Sequence, residues 1–147
     1  MPMTWWRRAL KLREPFRLFG ERTQHHFRFL VDDYGFRVIG GDVAAYEAWV
    51  VFENGTTRVT VSYEIGSAPW VEIARLERAG AKVVVRDETS LELLLHTRGR
   101  PDPFAGRVHA DIPDDELDRM LAVKAANLRE EAGELLRGDF SSIAPPQ

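Results

Sequence analysis

The sequence contains no cysteine, and this absence excludes disulfide bridges, thiolate catalysis and cysteine-ligated metal sites. It also lacks a long apolar run near its start, because basic residues interrupt the hydrophobic ones throughout MPMTWWRRALKLREPFRLFG. A signal peptide needs such a run, and a membrane-spanning helix needs a longer one. We therefore expect a cytoplasmic protein without a transmembrane segment.

The motifs of common catalytic sites are missing as well. Gly40-Gly41 has neither the spacing nor the lysine of a phosphate-binding loop, and Ser67 lacks the glycine frame of a G-x-S-x-G nucleophile. No two of the four histidines have the i, i+4 spacing of helical metal ligands. These absences favour a non-enzymatic protein, and we expect neither a metal nor a cofactor.

The length and charge suggest one domain with two unlike ends. A chain of 147 residues is most simply a single domain over 1–147, with a basic, aromatic N-terminal segment at 1–20 and a frayed tail at 141–147. Residues 1–30 hold seven Lys/Arg against two Glu, whereas residues 101–147 hold five against ten Asp/Glu. The isoelectric point of about 5.8 argues against nucleic acid as a partner.

Hydrophobic spacing and turn residues predict the order of the elements. The predicted helices are a short one over 4–14, a second over 23–34 that begins at Thr23 and ends at Gly35, and a long one over about 111–137. The predicted strands are 36–39, a hairpin over 46–65, 70–76 (which can instead begin a short helix), 82–86 and 91–96. The fold class is therefore α+β: an antiparallel, meandering sheet of about five or six strands, with N-terminal and C-terminal helices packed on one face.

The hairpin over 46–65 contains Asn54-Gly55, a pair typical of a two-residue type I′ turn. Pairing Glu53 with Thr56 sets a register in which side chains alternate between two faces. The face predicted to be buried holds Tyr46, Ala48, Val50, Phe52, Val59, Val61 and Tyr63. The other face is mostly polar, yet it holds Trp49 and Val51.

Trp49 and Val51 form a candidate protein-binding patch on this outer face, together with Trp70 and, at its rim, Arg58. Aromatic residues with a polar rim are typical of protein interfaces. Two alternatives remain open: the N-terminal segment covers the patch, or the second subunit of a homodimer does.

The N-terminal segment offers a second candidate surface. Arg7, Arg8 and Lys11 lie between Trp5 and Trp6 on one side and Phe16 and Phe19 on the other, and such a mixture can contact an anionic surface such as a membrane. The alternative is that these aromatics pack the segment onto the rest of the domain.

The stretches FRFLVDDYGFRV, AWVVFENGTTRVTVSYEIGSAPWVEIARL and LREEAGELLRGDF resemble small uncharacterised bacterial proteins built from a helix, an antiparallel sheet and a C-terminal helix. Some of these are grouped with the immunity proteins of toxin systems. The resemblance spans about residues 23–140 and implies a non-enzymatic binding role, in which a toxin is one candidate partner. The basic, aromatic N-terminus departs from the pattern and leaves a different partner open. It supplies no catalytic residues.

We therefore predict a cytoplasmic protein-binding module, immunity-like, that engages another protein through its outer sheet face. The alternative is a small-molecule-binding protein or enzyme with a pocket between sheet and helices, in which His96 or His109 takes part.

Overall fold

The structure is a computed structural model, and it describes residues 10–104 and 112–143. Helices α1 and α2 precede the sheet, α3 follows it directly, and α4 and α5 end the described chain. The elements are α1 Arg17–His26, α2 Arg28–Tyr34, β1 Arg37–Ala44, β2 Glu47–Glu53, β3 Thr57–Glu64, β4 Trp70–Ala79, β5 Lys82–Ser90, α3 Leu91–Thr97, α4 Asp114–Glu131 and α5 Gly133–Leu136.

The five strands form one antiparallel sheet in the order β1-β2-β3-β4-β5, so each strand pairs with its neighbours in sequence. This arrangement confirms the predicted α+β class and the meandering sheet. Strands β4 and β5 are longer than β3: the last β3–β4 pair is Thr57 with Arg75, whereas β4 and β5 stay paired as far as Ala79 with Lys82. The hairpin of residues 76–85, here called the arm, therefore projects beyond the rest of the sheet.

One face of the sheet, the inner face, is buried against the helices. The alternation of β2 and β3 between buried and half-buried positions follows the period of two that was predicted. The inner face consists of Ala48, Val50, Phe52, Val59, Val61, Tyr63, Val71 and Ile73, all buried. Phenylalanines and leucines from all five helices join the same core. Tyr46 is an exception to the prediction, because it lies in the β1–β2 turn and is 71% exposed.

The turn between β2 and β3 differs from the predicted type I′ turn. Glu53 pairs with Arg58 rather than with Thr56, and neither Asn54 nor Gly55 has a positive φ. Asn54 Oδ1 accepts hydrogen bonds from the backbone N–H groups of Thr56 and Thr57, both at 2.9 Å. The side chain of Asn54 thus shapes the connection of residues 54–56, as asparagine commonly does in turns.

The change of register moved each pair by two positions and therefore left the side chains of β2 and β3 on their predicted faces, whereas Tyr46 lies outside β2. Asn54 has a second set of contacts that connects the turn to the helices. Its Nδ2 donates to the carbonyl of Tyr34 at the end of α2 (3.0 Å) and to that of Leu136 at the end of α5 (3.1 Å). Thr57, which is buried, donates to the carbonyl of Leu135 at 2.7 Å.

Residues 91–96 were predicted as a strand and this prediction was wrong, because they form helix α3. Ser90 is its N-cap, and its Oγ accepts a hydrogen bond from the N–H of Leu93. Leu91, Leu94 and Leu95 follow the i, i+3, i+4 pattern and enter the core. Residues 87–90, which lie between the predicted strands 82–86 and 91–96, are the end of β5.

Three further boundaries differ from the prediction. The strand predicted over 36–39 is longer, because β1 continues through a bulge between Val38 and Gly40 as far as Ala44. The helix predicted to begin at Thr23 begins at Arg17, is interrupted at Phe27 and ends, as predicted, at Gly35 with a φ of 69°. The long C-terminal helix, predicted over about 111–137, begins at Asp114 and breaks at Ala132.

The N-terminal helix predicted over 4–14 lies mainly outside the described residues. Its described part, residues 10–14, is not helical. Leu12 is buried in the core, and the backbone of Leu10 is fixed by Gln24, which accepts from its N–H and donates to its carbonyl. No helix in the described parts of the chain is long and apolar enough to cross a membrane.

We predict that Asn54→Ala lowers the free energy of unfolding by about 3 kcal/mol, because it removes several hydrogen bonds that each contribute about 1 kcal/mol. Urea denaturation measures the change. The matched control is Asn127→Ala, since Asn127 is half-buried on α4 and is not among the side chains that bridge the turn and the helices. The control should raise stability slightly, by about 0.5 kcal/mol, because alanine favours a helix more than asparagine does. Equal stability of the two variants would contradict the role assigned to Asn54.

Candidate functional site

The outer face of the sheet brings the two predicted tryptophans into one row. Trp49 on β2 pairs with Ser62 on β3, and Ser62 pairs with Trp70 on β4. Neighbouring strands are about 4.8 Å apart, so the backbones of the two tryptophans lie about 10 Å apart with a serine between them. Val51 belongs to the adjacent row of the same face. Trp70 is 44% exposed, and Trp49 and Val51 are half-buried.

This face is separate from the hydrophobic core of the domain. Trp49, Val51 and Trp70 neither belong to the core nor pack against it, within residues 10–104 and 112–143. The described helices contribute their buried side chains to the inner face instead. The geometry thus leaves an aromatic row on a face that no described helix covers.

Four carboxylates surround the tryptophan row, and we call them the acidic rim. They are Asp42, Glu47, Glu64 and Glu72. None of the four forms an ion pair with another described residue. Glu47 and Glu64 lie directly opposite each other on β2 and β3, where two like charges repel. The rim therefore concentrates negative charge beside the tryptophans.

Arg58 lies on the same face but at its other end. It pairs with Glu53 in the register, and its Nε forms a salt bridge of 2.6 Å with Glu53 Oε2. Four positions of β3 separate it from Ser62, which corresponds to about 13 Å along the strand. The sequence correctly assigned Arg58 to this face, but its charge is already paired and lies away from the tryptophan row.

The second predicted surface lies largely outside the described residues, because Arg7 and Arg8 fall within positions 1–9. Lys11 is exposed and forms no ion pair with a described residue. An anionic-surface contact by these three residues therefore stays a prediction.

The histidines do not assemble a metal site in the described parts of the chain. His25 is exposed, and its ring packs edge-on against that of His26. His26 Nε2 lies 2.7 Å from Asp118 Oδ1, which also accepts a hydrogen bond from Arg22. The hydrogen bonds from Arg22 and His26 lower the pKa of Asp118. This cluster connects α1 to α4.

The other two histidines were candidates for a pocket between the sheet and the helices. His96 is exposed near the end of α3, and His109 lies outside the described residues. The space between the inner face and the helices holds large buried side chains such as Phe27, Phe52 and Leu121. The described residues thus provide no support for His96 as a pocket residue.

A buried ionic cluster was missed by the sequence reasoning. Lys124 on α4 is 1% exposed, and its Nζ lies 2.5 Å from Glu92 Oε2 and 2.6 Å from Asp102 Oδ2. Glu92 also accepts a hydrogen bond from the backbone N–H of Val71 at the start of β4. The cluster joins α3, α4, the loop after α3 and the sheet.

One sequence signal could have identified this cluster. Lys124 falls three residues after Leu121 and four before Leu128, so it occupies a core-facing position of α4. A lysine at such a position is rarely buried unless it is paired. Burial raises the pKa of Glu92, and the charge and hydrogen bond of Lys124 offset this only in part.

Comparison of the chain with protein-family models, with curated proteins and with solved structures found no match. The resemblance to immunity proteins therefore stays a prediction.

We predict that Lys124→Met lowers the free energy of unfolding by about 3–5 kcal/mol, because it leaves two buried carboxylates without their cation. Urea denaturation at neutral pH measures the loss. Lys82→Met is the control, since Lys82 is exposed and should tolerate the change within about 0.5 kcal/mol. A Lys124 variant as stable as the control would show that the cluster does not hold the helices together.

The raised pKa of Glu92 predicts a pH dependence of stability. Above the ordinary value of 4.5, the unfolded chain releases a proton that the folded protein still holds, so stability falls as pH rises toward the folded pKa. Glu92→Gln removes this titration. Denaturation at a series of pH values above 4.5 should show wild-type stability falling relative to that of Glu92→Gln as pH rises, and parallel profiles would contradict the assignment.

Proposed function

We propose that this chain is a non-enzymatic protein-binding module whose outer sheet face engages a basic surface of another protein. The observation that carries this proposal is the row of Trp49 and Trp70, beside Val51, on a face that no described helix covers. Tryptophan is enriched among the residues that dominate binding energy at protein interfaces. A flat face with a half-exposed tryptophan suits contact with another protein better than enclosure of a small molecule.

The charge of the face indicates the kind of partner. The acidic rim surrounds the tryptophans with carboxylates that have no cation among the described residues, and a basic partner surface would supply those cations. Complementary charge of this kind speeds association and selects among partners, while the aromatic centre provides most of the affinity. An immunity role, in which the partner is a toxin, is consistent with a charged rim that speeds association and an aromatic centre that provides affinity. This role rests on the sequence resemblance alone.

Covering of the face by residues 1–9 or by a second copy of the chain is the competing explanation. Both alternatives bury the tryptophans without a foreign partner. They differ from the proposal in a measurable way, because either one makes the tryptophans contribute to the stability or the oligomeric state of the isolated protein.

We predict that Trp49→Ser/Trp70→Ser loses at least about 30-fold in affinity for the partner and keeps its fold, because a central tryptophan contributes about 2 kcal/mol or more. Partners of the immobilised wild type are identified by mass spectrometry, and their affinities are then measured with purified protein. Leu93→Ser is the matched control, since Leu93 is an exposed apolar residue on α3.

The proposal requires that wild type and Leu93→Ser retain the same partner and that the double tryptophan variant does not. Circular dichroism and urea denaturation establish whether the double variant is folded. Unchanged affinity would exclude this face as the binding surface. Loss of folding, or a change from dimer to monomer, would instead show that the chain itself covers the tryptophans.

A further inference from the structure

A cavity of about 360 Å³ lies at the base of the arm, between the Asn54 turn and the beginning of β1. We call it the turn cavity. Its walls come from three parts of the chain: Gly35 and Arg37 at the β1 end, Glu53 to Gly55 in the turn, and Leu76 to Arg78 with Val83 on the arm. The N–H of Leu76 donates to the carbonyl of Thr56 at 2.8 Å, which fixes the arm against the turn.

The two carboxylates of the turn cavity are already neutralised by arginines that do not line it. Glu53 bonds Arg58 at 2.6 Å, and Glu77 Oε2 lies 3.2 Å from Arg86 Nε. Neither Arg58 nor Arg86 belongs to the cavity wall. The negative charges of the wall are therefore compensated from outside.

The two arginines of the wall, in contrast, have no counter-ion among the described residues. Arg37 lies opposite Glu53 in the register, yet Glu53 bonds Arg58 instead. Arg78 lies opposite Val83 on the arm and forms no ion pair in the described chain. Arg37 and Arg78, both exposed and without a counter-ion among the described residues, thus line one cavity, and guanidinium is the side-chain group best matched to carboxylate and phosphate oxygens.

The rest of the wall is suited to the body of a small organic molecule. Leu76 and Val83 provide apolar surface, and Gly35 and Gly55 leave open space, since no heavy atom lies within 4 Å of a Cβ built on either. The N–H of Gly55 has no acceptor among the described residues and is a further donor.

From these observations we propose that the turn cavity binds a small organic anion whose phosphate or carboxylate head group is held by Arg37 and Arg78 and whose apolar part contacts Leu76 and Val83. This site is distinct from the tryptophan row.

Titration of ¹⁵N-labelled protein with phenyl phosphate and with benzoate, followed by amide chemical shifts, tests the proposal. We expect saturable shifts at Gly55, Leu76 and Val83 with at least one of the two probes. Tighter binding of phenyl phosphate would identify a phosphate ligand, and tighter binding of benzoate a carboxylate.

Arg37→Gln/Arg78→Gln should weaken binding by about tenfold or more, because hydrogen bonds to charged groups are lost. Arg13→Gln is the control, since Arg13 is exposed, has no ion pair with a described residue and does not line the cavity. Gly55→Leu tests the same site without changing its charge: it should fill the open space and also weaken binding by about tenfold.

Three results would overturn the proposal. They are the absence of saturable shifts with both probes, equal affinity of wild type and the folded double arginine variant, and equal loss of affinity in Arg13→Gln. The amide spectrum itself establishes whether each variant is folded.

Discussion

The side chain of Asn54 is the contact on which the arrangement of the sheet and the helices depends. Its oxygen shapes the turn between β2 and β3, and its nitrogen binds the carbonyls that end α2 and α5. Helix C-termini leave such carbonyls without partners inside the helix. One amide group therefore contacts both the turn of the central hairpin and the ends of two helices, and so connects the sheet to the helices.

The faces of the sheet could be predicted from the sequence because side-chain alternation survives an error of two residues in the register. The turn itself could not be predicted, since the partners of Asn54 include Leu136, which is 82 positions away. Residues 91–96 were misassigned because a short apolar run fits a strand or a buried helix, and the cap at Ser90 decides between them.

In the candidate sites, the positions of the tryptophans could be predicted from the sequence, whereas the pairing of the charged residues could not. Pairing in the hairpin placed Trp49 on the outer face, and the β3–β4 pairing then put Trp70 in its row. Arg37 and Arg78 have no ion pair among the described residues, because Glu53 bonds Arg58 and Glu77 bonds Arg86. The cluster around Lys124 depends on Asp102 in a loop. Tertiary packing decides which of these charged residues pair, and local sequence patterns do not report it.

The open meander leaves β1 and β5 as edge strands, and each edge is irregular. A bulge interrupts β1 between Val38 and Gly40, and β5 bends at Asp87, whose φ is 50°. A further strand from another molecule would meet a broken ladder of backbone hydrogen bonds on either side, and β5 would also present it with charged side chains. Irregular, charged edges oppose the edge-to-edge growth that leads to aggregation. The outer face of the sheet can thus carry tryptophans while both edge strands oppose the addition of a strand from another molecule.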